Sequence, residues 1–226
     1  YQMNMMKNLL TCTNEMRNAR SKRNLRLPYF KELKLRMYDK KHHISTSWDN
    51  KSFPEKYADD LAHEYINKEP EKPKQGTDYS TNTYYKLAAS GETINGRLRN
   101  GENTDMDIIN MVKSNHTKKS LILYRGVCDD VYEKMLLNAK NISDVDYVER
   151  GFLCCSLVKG HHINGEICFR IFVPKGTPAA YMGSVNNEPG YYEVDVLCGC
   201  KLKIISIDSE FVNCELVGFT SEYTSC

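Results

Sequence analysis

The sequence predicts an α+β fold, with helices in the first half of the chain and strands in the second. Apolar residues recur at helical spacing between residues 53 and 114. From residue 120 the pattern changes to compact apolar runs separated by Gly and Pro, the signature of strands. With 226 residues, 41% of them hydrophobic and 27% charged, the chain can bury a core as one large domain or two small ones. That balance excludes a disordered tail, a collagen-like repeat and a coiled coil.

Residues 1–43 hold eleven Lys/Arg against three Asp/Glu, a local charge of +8 in a chain of net charge +2. The basic residues alternate with Leu25, Leu27, Tyr29, Phe30, Leu33, Leu35 and Met37. Residues 1–75 are therefore expected to form a basic helical segment packing on a core at 76–226. The basic side chains form either a solvated face with long stems over the domain or a contact for an acidic partner, a membrane surface or nucleic acid. Residues 53–69 read as a helix: Pro54 suits the first turn, acids follow, and Tyr57, Leu61 and Tyr65 recur at i, i+4, i+8. EPEKPKQGTD (69–78) is a loop by its Pro and Gly content. A further helix is expected over roughly 84–100 and another over 104–114, the latter with Met106, Ile109 and Val112 or Met111 on one side.

SLILYRGV (120–127) is a strand and DDVYEKMLLNAK (129–140) a helix. GFLCCSLV (151–158), EICFRIFVP (166–174), YYEVDVL (191–197), KLKIISID (201–208) and CELVGF (214–219) read as strands. No apolar run approaches the roughly 20 residues of a membrane helix. The opening YQMNMMKNLL lacks the basic-then-apolar order of a signal peptide. The nine cysteines include no CxxC pair, so no metal site is expected, and most should be buried reduced thiols.

Three strand motifs carry the chemistry: Tyr124-Arg125-Gly126, Phe152-Leu153-Cys154-Cys155-Ser156 and Tyr191-Tyr192-Glu193. An Arg inside an apolar strand marks an ion pair or an anion site, because a buried guanidinium must be paired. With INGRLRNG (94–101), VPKGTPAAYMG (173–183) and EVDVLCGCKLKIIS (193–206), these pieces in this order resemble the Arg–Ser–Glu class of mono-ADP-ribosyltransferases. The likeness is strongest to bacterial exotoxins of the binary actin-toxin and clostridial Rho-exoenzyme types, and it covers about residues 79–207.

The resemblance implies an ADP-ribosyltransferase fold, in which two small antiparallel sheets form an NAD cleft flanked by helices. It implies NAD as substrate and transfer of ADP-ribose to a macromolecule, with NAD hydrolysis as a side reaction. Breaking the nicotinamide–ribose bond builds positive charge on the ribose, which a carboxylate near the anomeric carbon stabilises. The resemblance gives that role to Glu193. Arg125 and Gly126 would meet the cofactor, the guanidinium forking onto the pyrophosphate. Arg99, Asn95 and Tyr85 would complete the cofactor pocket. Ser156 would brace Glu193 through its hydroxyl, and Lys159, His161 and His162 lie in the loop that would wrap the phosphates. Tyr191, Tyr192 and Glu188, in the loop 183–192, would recognise the target.

This sequence departs from the pattern in carrying Cys154 and Cys155 where the family has hydroxyls, and Tyr191 where it has Glu or Gln. Asp195, on the same strand face as Glu193, is the rival for the catalytic position. The downstream Gly199, Lys201, Leu202 and Lys203 fall in place only with Glu193 there.

The expected protein is thus a toxin or effector catalytic domain, secreted or delivered, acting as a monomer in a target-cell cytosol. Its acceptor would be a host protein, a small guanosine triphosphatase or actin being the family's usual targets. Two other readings stand beside it. One is a catalytically dead transferase fold used as a binding module. The other is a transferase acting on nucleic acid, the less favoured because no RNA- or DNA-binding motif accompanies the basic segment.

Overall fold

The computed structural model describes residues 54–68, 82–102, 105–183 and 190–224. The basic stretch of residues 1–43, Cys12, Cys226, the loop 69–78 and Glu188 lie outside the described residues.

A 3-10 turn at Glu55–Tyr57 leads into helix α1 (Ala58–Tyr65). The expected apolar face of Tyr57, Leu61 and Tyr65 lies one position round from the buried one, which is Ala58 and Ala62. Small side chains let α1 approach strand β5 (Ala179–Gly183) closely. There the Tyr181 hydroxyl donates to Asp59, and the Asn67 side-chain amide pairs with both backbone groups of Tyr181, at 2.7 and 3.1 Å. Asn67 thereby imitates a neighbouring strand, and the sheet edge at β5 is closed.

Helix α2 (Thr83–Arg99) starts at Asn82, whose side chain accepts from the Tyr84 amide at 3.0 Å. It ends at Gly101, which takes a φ of 79° that disfavours a Cβ. Helix α3 (Met106–Ser114) is capped by Asp105, which accepts from the Asp107 amide. Leu87, Ile94 and Leu98 of α2 and Ile108, Ile109 and Val112 of α3 pack on Phe152, Ala180, Met182 and Leu197. Both helices are thus held by apolar burial against one half of the sheet.

The remaining elements are β1 (Leu121–Val127), α4 (Asp129–Ala139), β2 (Tyr147–Glu149), β3 (Leu153–Ser156), β4 (Ile167–Val173), β6 (Glu193–Val196), β7 (Cys200–Ile207), β8 (Val212–Phe219) and α5 (Ser221–Thr224). The strands run in the order β2-β7-β8-β4-β1-β3-β6-β5. All neighbours are antiparallel except β4 and β8, which are parallel. The two expected sheets are thus recorded as one hydrogen-bonded ladder with a seam. β1 pairs with β4 along seven residues but with β3 through Tyr124 and Ser156 alone. The strands diverge at that point, and the divergence opens a cleft between α2, β1, β3 and β6.

Three short elements are not predicted by the sequence. Strand β2 is three residues long and β5 begins directly after a Pro-containing turn, so neither carries an alternating pattern, and α5 is a single turn. Among the described residues no helix is long and apolar enough to cross a membrane. All seven described cysteines are free thiols, and Cys155, Cys198, Cys200 and Cys214 are buried.

The loop after β3 lies directly on β1. A Cβ on Gly126 would run into the Ile163 carbonyl and come within 2.7 Å of the Gly165 amide nitrogen. Gly126→Ala should therefore lower the melting temperature by several degrees, matching an overpacking cost of about 1–3 kcal/mol. An unchanged melting curve would show that the loop is not seated on the strand.

Candidate active site

The cleft is a cavity of about 470 Å³, within the range of small-molecule and cofactor sites. One wall is α2, with Leu87, Gly91 and Asn95. The floor is β1, β3 and β6, and the rim is the loop after β3 together with Tyr191.

Arg125 lies on the cavity floor, 7% exposed. One terminal nitrogen donates to Glu149 Oε2 at 2.8 Å, and the other reaches the Phe152 and Cys154 carbonyls at 3.3 and 3.5 Å. Its Nε–H is buried with no partner in the described structure. The guanidinium is therefore anchored at its tip and keeps one donor in reserve.

Glu149 is the residue that sequence reasoning missed. It is fully buried and accepts four hydrogen bonds from three residues: Arg99 through Nε at 3.0 Å and a terminal nitrogen at 2.9 Å, Arg125 at 2.8 Å, and the Gly151 amide at 2.8 Å. Burial alone would raise its carboxyl, but Arg125 and Arg99 outweigh that and hold it below the ordinary carboxylate range. The signal that could have found it is Arg125 itself. A buried strand arginine requires a buried acid, and Glu149 lies just before the Gly-Phe step of the second motif.

Arg99, expected at the cofactor, is instead placed on Glu149 and is not part of the cavity lining. Tyr85 is buried within α2 and does not reach the cavity either. Asn95 does line it, and it ties α2 to β3. Its Oδ1 accepts from the Phe152 amide at 2.7 Å, and its Nδ2 donates to the Cys154 sulfur at 3.4 Å. Gly151 is required beside it, since a Cβ there would lie 2.7 Å from Asn95 Oδ1.

β3 and β6 pair Cys154 with Asp195 and Ser156 with Glu193. Alternation puts these four side chains on the cavity face. The Ser156 hydroxyl, expected to brace Glu193, donates instead to the Val158 carbonyl at 3.1 Å and accepts from the Val158 amide at 3.0 Å. A hydroxyl has one proton, and the backbone two residues on is its nearest acceptor. Burial and the carboxyls of Asp195 and Glu193 push the Cys154 thiol well up, so it is held as a thiol.

At the rim, His162 stacks on Tyr124 with ring centroids 6.2 Å apart, and burial lowers its pKa. His161 Nδ1 lies 2.7 Å from the Gly190 carbonyl, and its ring meets Tyr192 edge-on at 5.4 Å. Tyr192 adopts a φ of 47°, uncommon for a non-glycine residue, and its carbonyl accepts from the Leu157 amide at 3.1 Å. Tyr191 lines the cavity and is 39% exposed, whereas Tyr192 is not in the lining. Lys159 is turned away onto Glu210 at 2.8 Å.

A family model described as ADP-ribosyltransferase exoenzyme matches residues 45–216. The chain belongs to that family. It is accordingly an NAD-dependent mono-ADP-ribosyltransferase with NAD as its substrate. Among solved structures, it is similar to Plx2a, an ADP-ribosyltransferase toxin from Paenibacillus larvae, at 19% identity over 63% of this chain and 87% of that one, with a TM-score of 0.47. C3stau2 from S. aureus, solved with NAD, is 20% identical over 63% and 88%, with a TM-score of 0.49. The Clostridium limosum C3 exoenzyme is 19% identical over 64% and 87%, also at 0.49. No curated protein matches the chain.

In this transferase the Glu149 cluster should be a main determinant of stability. Glu149→Ala leaves two guanidiniums without their counter-ion and should cost about 3–5 kcal/mol in denaturant unfolding. The folded carboxyl titrates below its unfolded value. Its contribution is therefore complete above the ordinary carboxylate range and lost as pH falls through the folded value. Wild type should lose more stability on acidification than Glu149→Ala, and parallel pH curves would contradict the assignment.

Proposed function

We propose that this transferase breaks the nicotinamide–ribose bond of NAD in the cavity and passes ADP-ribose to a side chain of a host protein. The observation that carries the reading is the opposition, within one cavity, of a guanidinium and a pair of carboxyls. Arg125 lines the cavity from β1, and Glu193 and Asp195 line it from β6.

The Arg125 guanidinium on the cavity floor attracts the anionic pyrophosphate. As the bond between the ribose C1′ and the nicotinamide nitrogen breaks, the electron pair leaves with nicotinamide and the ribose becomes an oxocarbenium-like cation. Glu193, the more exposed of the two acids, keeps its charge more readily than Asp195 and stabilises that cation. Asn95 and the Glu149 cluster keep the two walls at fixed separation. Water admitted to the cavity in place of the acceptor gives NAD hydrolysis as the side reaction.

The acceptor is argued from the rim. Tyr191 is half-exposed at the mouth, an amphipathic ring suited to a protein surface. Beyond residue 43 the chain carries 20 basic and 26 acidic residues, a net charge that repels a phosphate backbone. A protein acceptor is therefore favoured over nucleic acid, in keeping with an effector delivered to a target-cell cytosol.

The test is release of nicotinamide from NAD, alone and with cell lysate as the source of acceptor. Native protein should release it, and Glu193→Gln should reduce the rate by roughly 100-fold or more while retaining NAD binding. No release by native protein under either condition would contradict the reading. So would a Glu193→Gln variant as active as native.

A further inference from the structure

Glu193 and Asp195 share a strand face, but their surroundings differ. Glu193 is half-buried toward the mouth. Asp195 is 2% exposed and lies behind it, paired in register with Cys154. The Cys154 sulfur and one carboxyl oxygen from each acid all lie within 4.8 Å of one another.

Asp195 Oδ1 has no hydrogen-bond partner among the described residues. The guanidinium of Arg125 does not serve it, because its terminal nitrogens bind Glu149 and the carbonyls of Phe152 and Cys154. An ionised carboxylate with an orphaned buried oxygen beside a second carboxylate is penalised twice, by lost solvation and by like-charge repulsion. The neutral acid avoids both penalties and has one O–H to donate. Of the two acceptors in reach, a carboxylate is far stronger than a thiol. Meanwhile the Ser156 hydroxyl is committed to Val158.

We propose that Asp195 is a positioning residue: as the neutral acid it donates a hydrogen bond to the Glu193 carboxylate and fixes that side chain toward the reacting ribose, the role expected of Ser156. This rests on the NAD-cleaving reading above. Burial raises the Asp195 carboxyl, against the lowering pull of its contacts with Cys154, Arg125 and Glu193. The titratable and charged groups around it are Glu193 on its own strand, Cys154 and Cys155 on β3 and Arg125 on β1. From β5 it meets only Ala180 in register, while Glu92 on α2 and His161 and His162 in the loop after β3 line the same cavity.

The proton of Asp195 stays within the pair, and its effects are opposite at the two ends of the pH scale. A hydrogen bond to the charged form keeps Glu193 ionised to lower pH. When Asp195 itself ionises at higher pH, the donor becomes a second negative charge and Glu193 is released. The pH profile of turnover is therefore a bell belonging to the pair.

The experiment is nicotinamide release across pH by native protein, Asp195→Asn, Asp195→Ala and Glu193→Gln, with the neutral-carboxyl infrared band measured on the same proteins. Asp195→Ala should lower kcat about 10- to 100-fold, the size expected for one hydrogen bond to a charged group, with KM for NAD little moved. Its acid limb should shift to higher pH. Asp195→Asn should recover at least about tenfold of that loss, because its amide keeps a donor, and should lack the alkaline limb. Asp195→Asn as inactive as Glu193→Gln would overturn the proposal by making Asp195 the carboxylate at the reacting carbon. So would native activity in Asp195→Ala. If native protein releases no nicotinamide, the NAD-cleaving reading fails by itself and the infrared arm decides. A neutral carboxylic-acid band at neutral pH, kept in Glu193→Gln and lost in Asp195→Asn, supports the proposal, and its absence from native protein overturns it. That arm also decides if Asp195→Ala does not fold.

Discussion

The carboxylate of Glu149, buried between two guanidiniums, is the interaction on which the rest of the structure depends. Arg99 comes from the last turn of α2, Arg125 from the middle of β1, and Glu149 from the end of β2. One carboxylate thus joins a helix and two strands that are distant in sequence. Two cations on one buried anion leave the cluster with a net positive charge, and that excess faces the cavity through Arg125. The cluster is therefore both a fastening and a source of the field that an anionic substrate meets.

The seam of the sheet supplies the second constraint. Strands β1 and β3 stay paired at Tyr124 and Ser156 and nowhere else, so the cleft has a fixed apex and diverging walls. Asn95 ties α2 to β3 by binding the Phe152 amide and the Cys154 sulfur, which fixes that side of the cleft. The loop after β3 is pressed onto Gly126 and sets the rim. Strand β6, with Glu193 and Asp195, therefore faces Arg125 across a gap held by backbone and polar contacts.

Much of this was legible in the sequence, for identifiable reasons. β1 and β4 are largely apolar runs of seven residues and β7 is an eight-residue strand that alternates over its first half, long enough to show their patterns. Arg125, Asn95, Ser156, Tyr191 and Glu193 were singled out, and all five line one cavity. What could not be read depends on contacts between distant segments. Arg99 has the same local sequence whether it meets a ligand or Glu149. Nothing near Ser156 in sequence signals that its hydroxyl will turn back to Val158. Asp195 reads in the sequence as a competitor of Glu193, whereas in the fold it is the more buried of the two, and burial raises its carboxyl. The three-residue β2 escaped because its length hides any period, although its final residue is the one that anchors Arg125.

The most direct test of the account is a crystal structure of the protein with a non-hydrolysable NAD analogue. The account predicts the pyrophosphate beside Arg125, the nicotinamide-bearing ribose against Glu193, and Glu149 still joined to both Arg99 and Arg125. A ligand seated outside this cavity, or an Arg125 that has left Glu149 to reach it, would contradict the claim that the buried ion cluster positions the site.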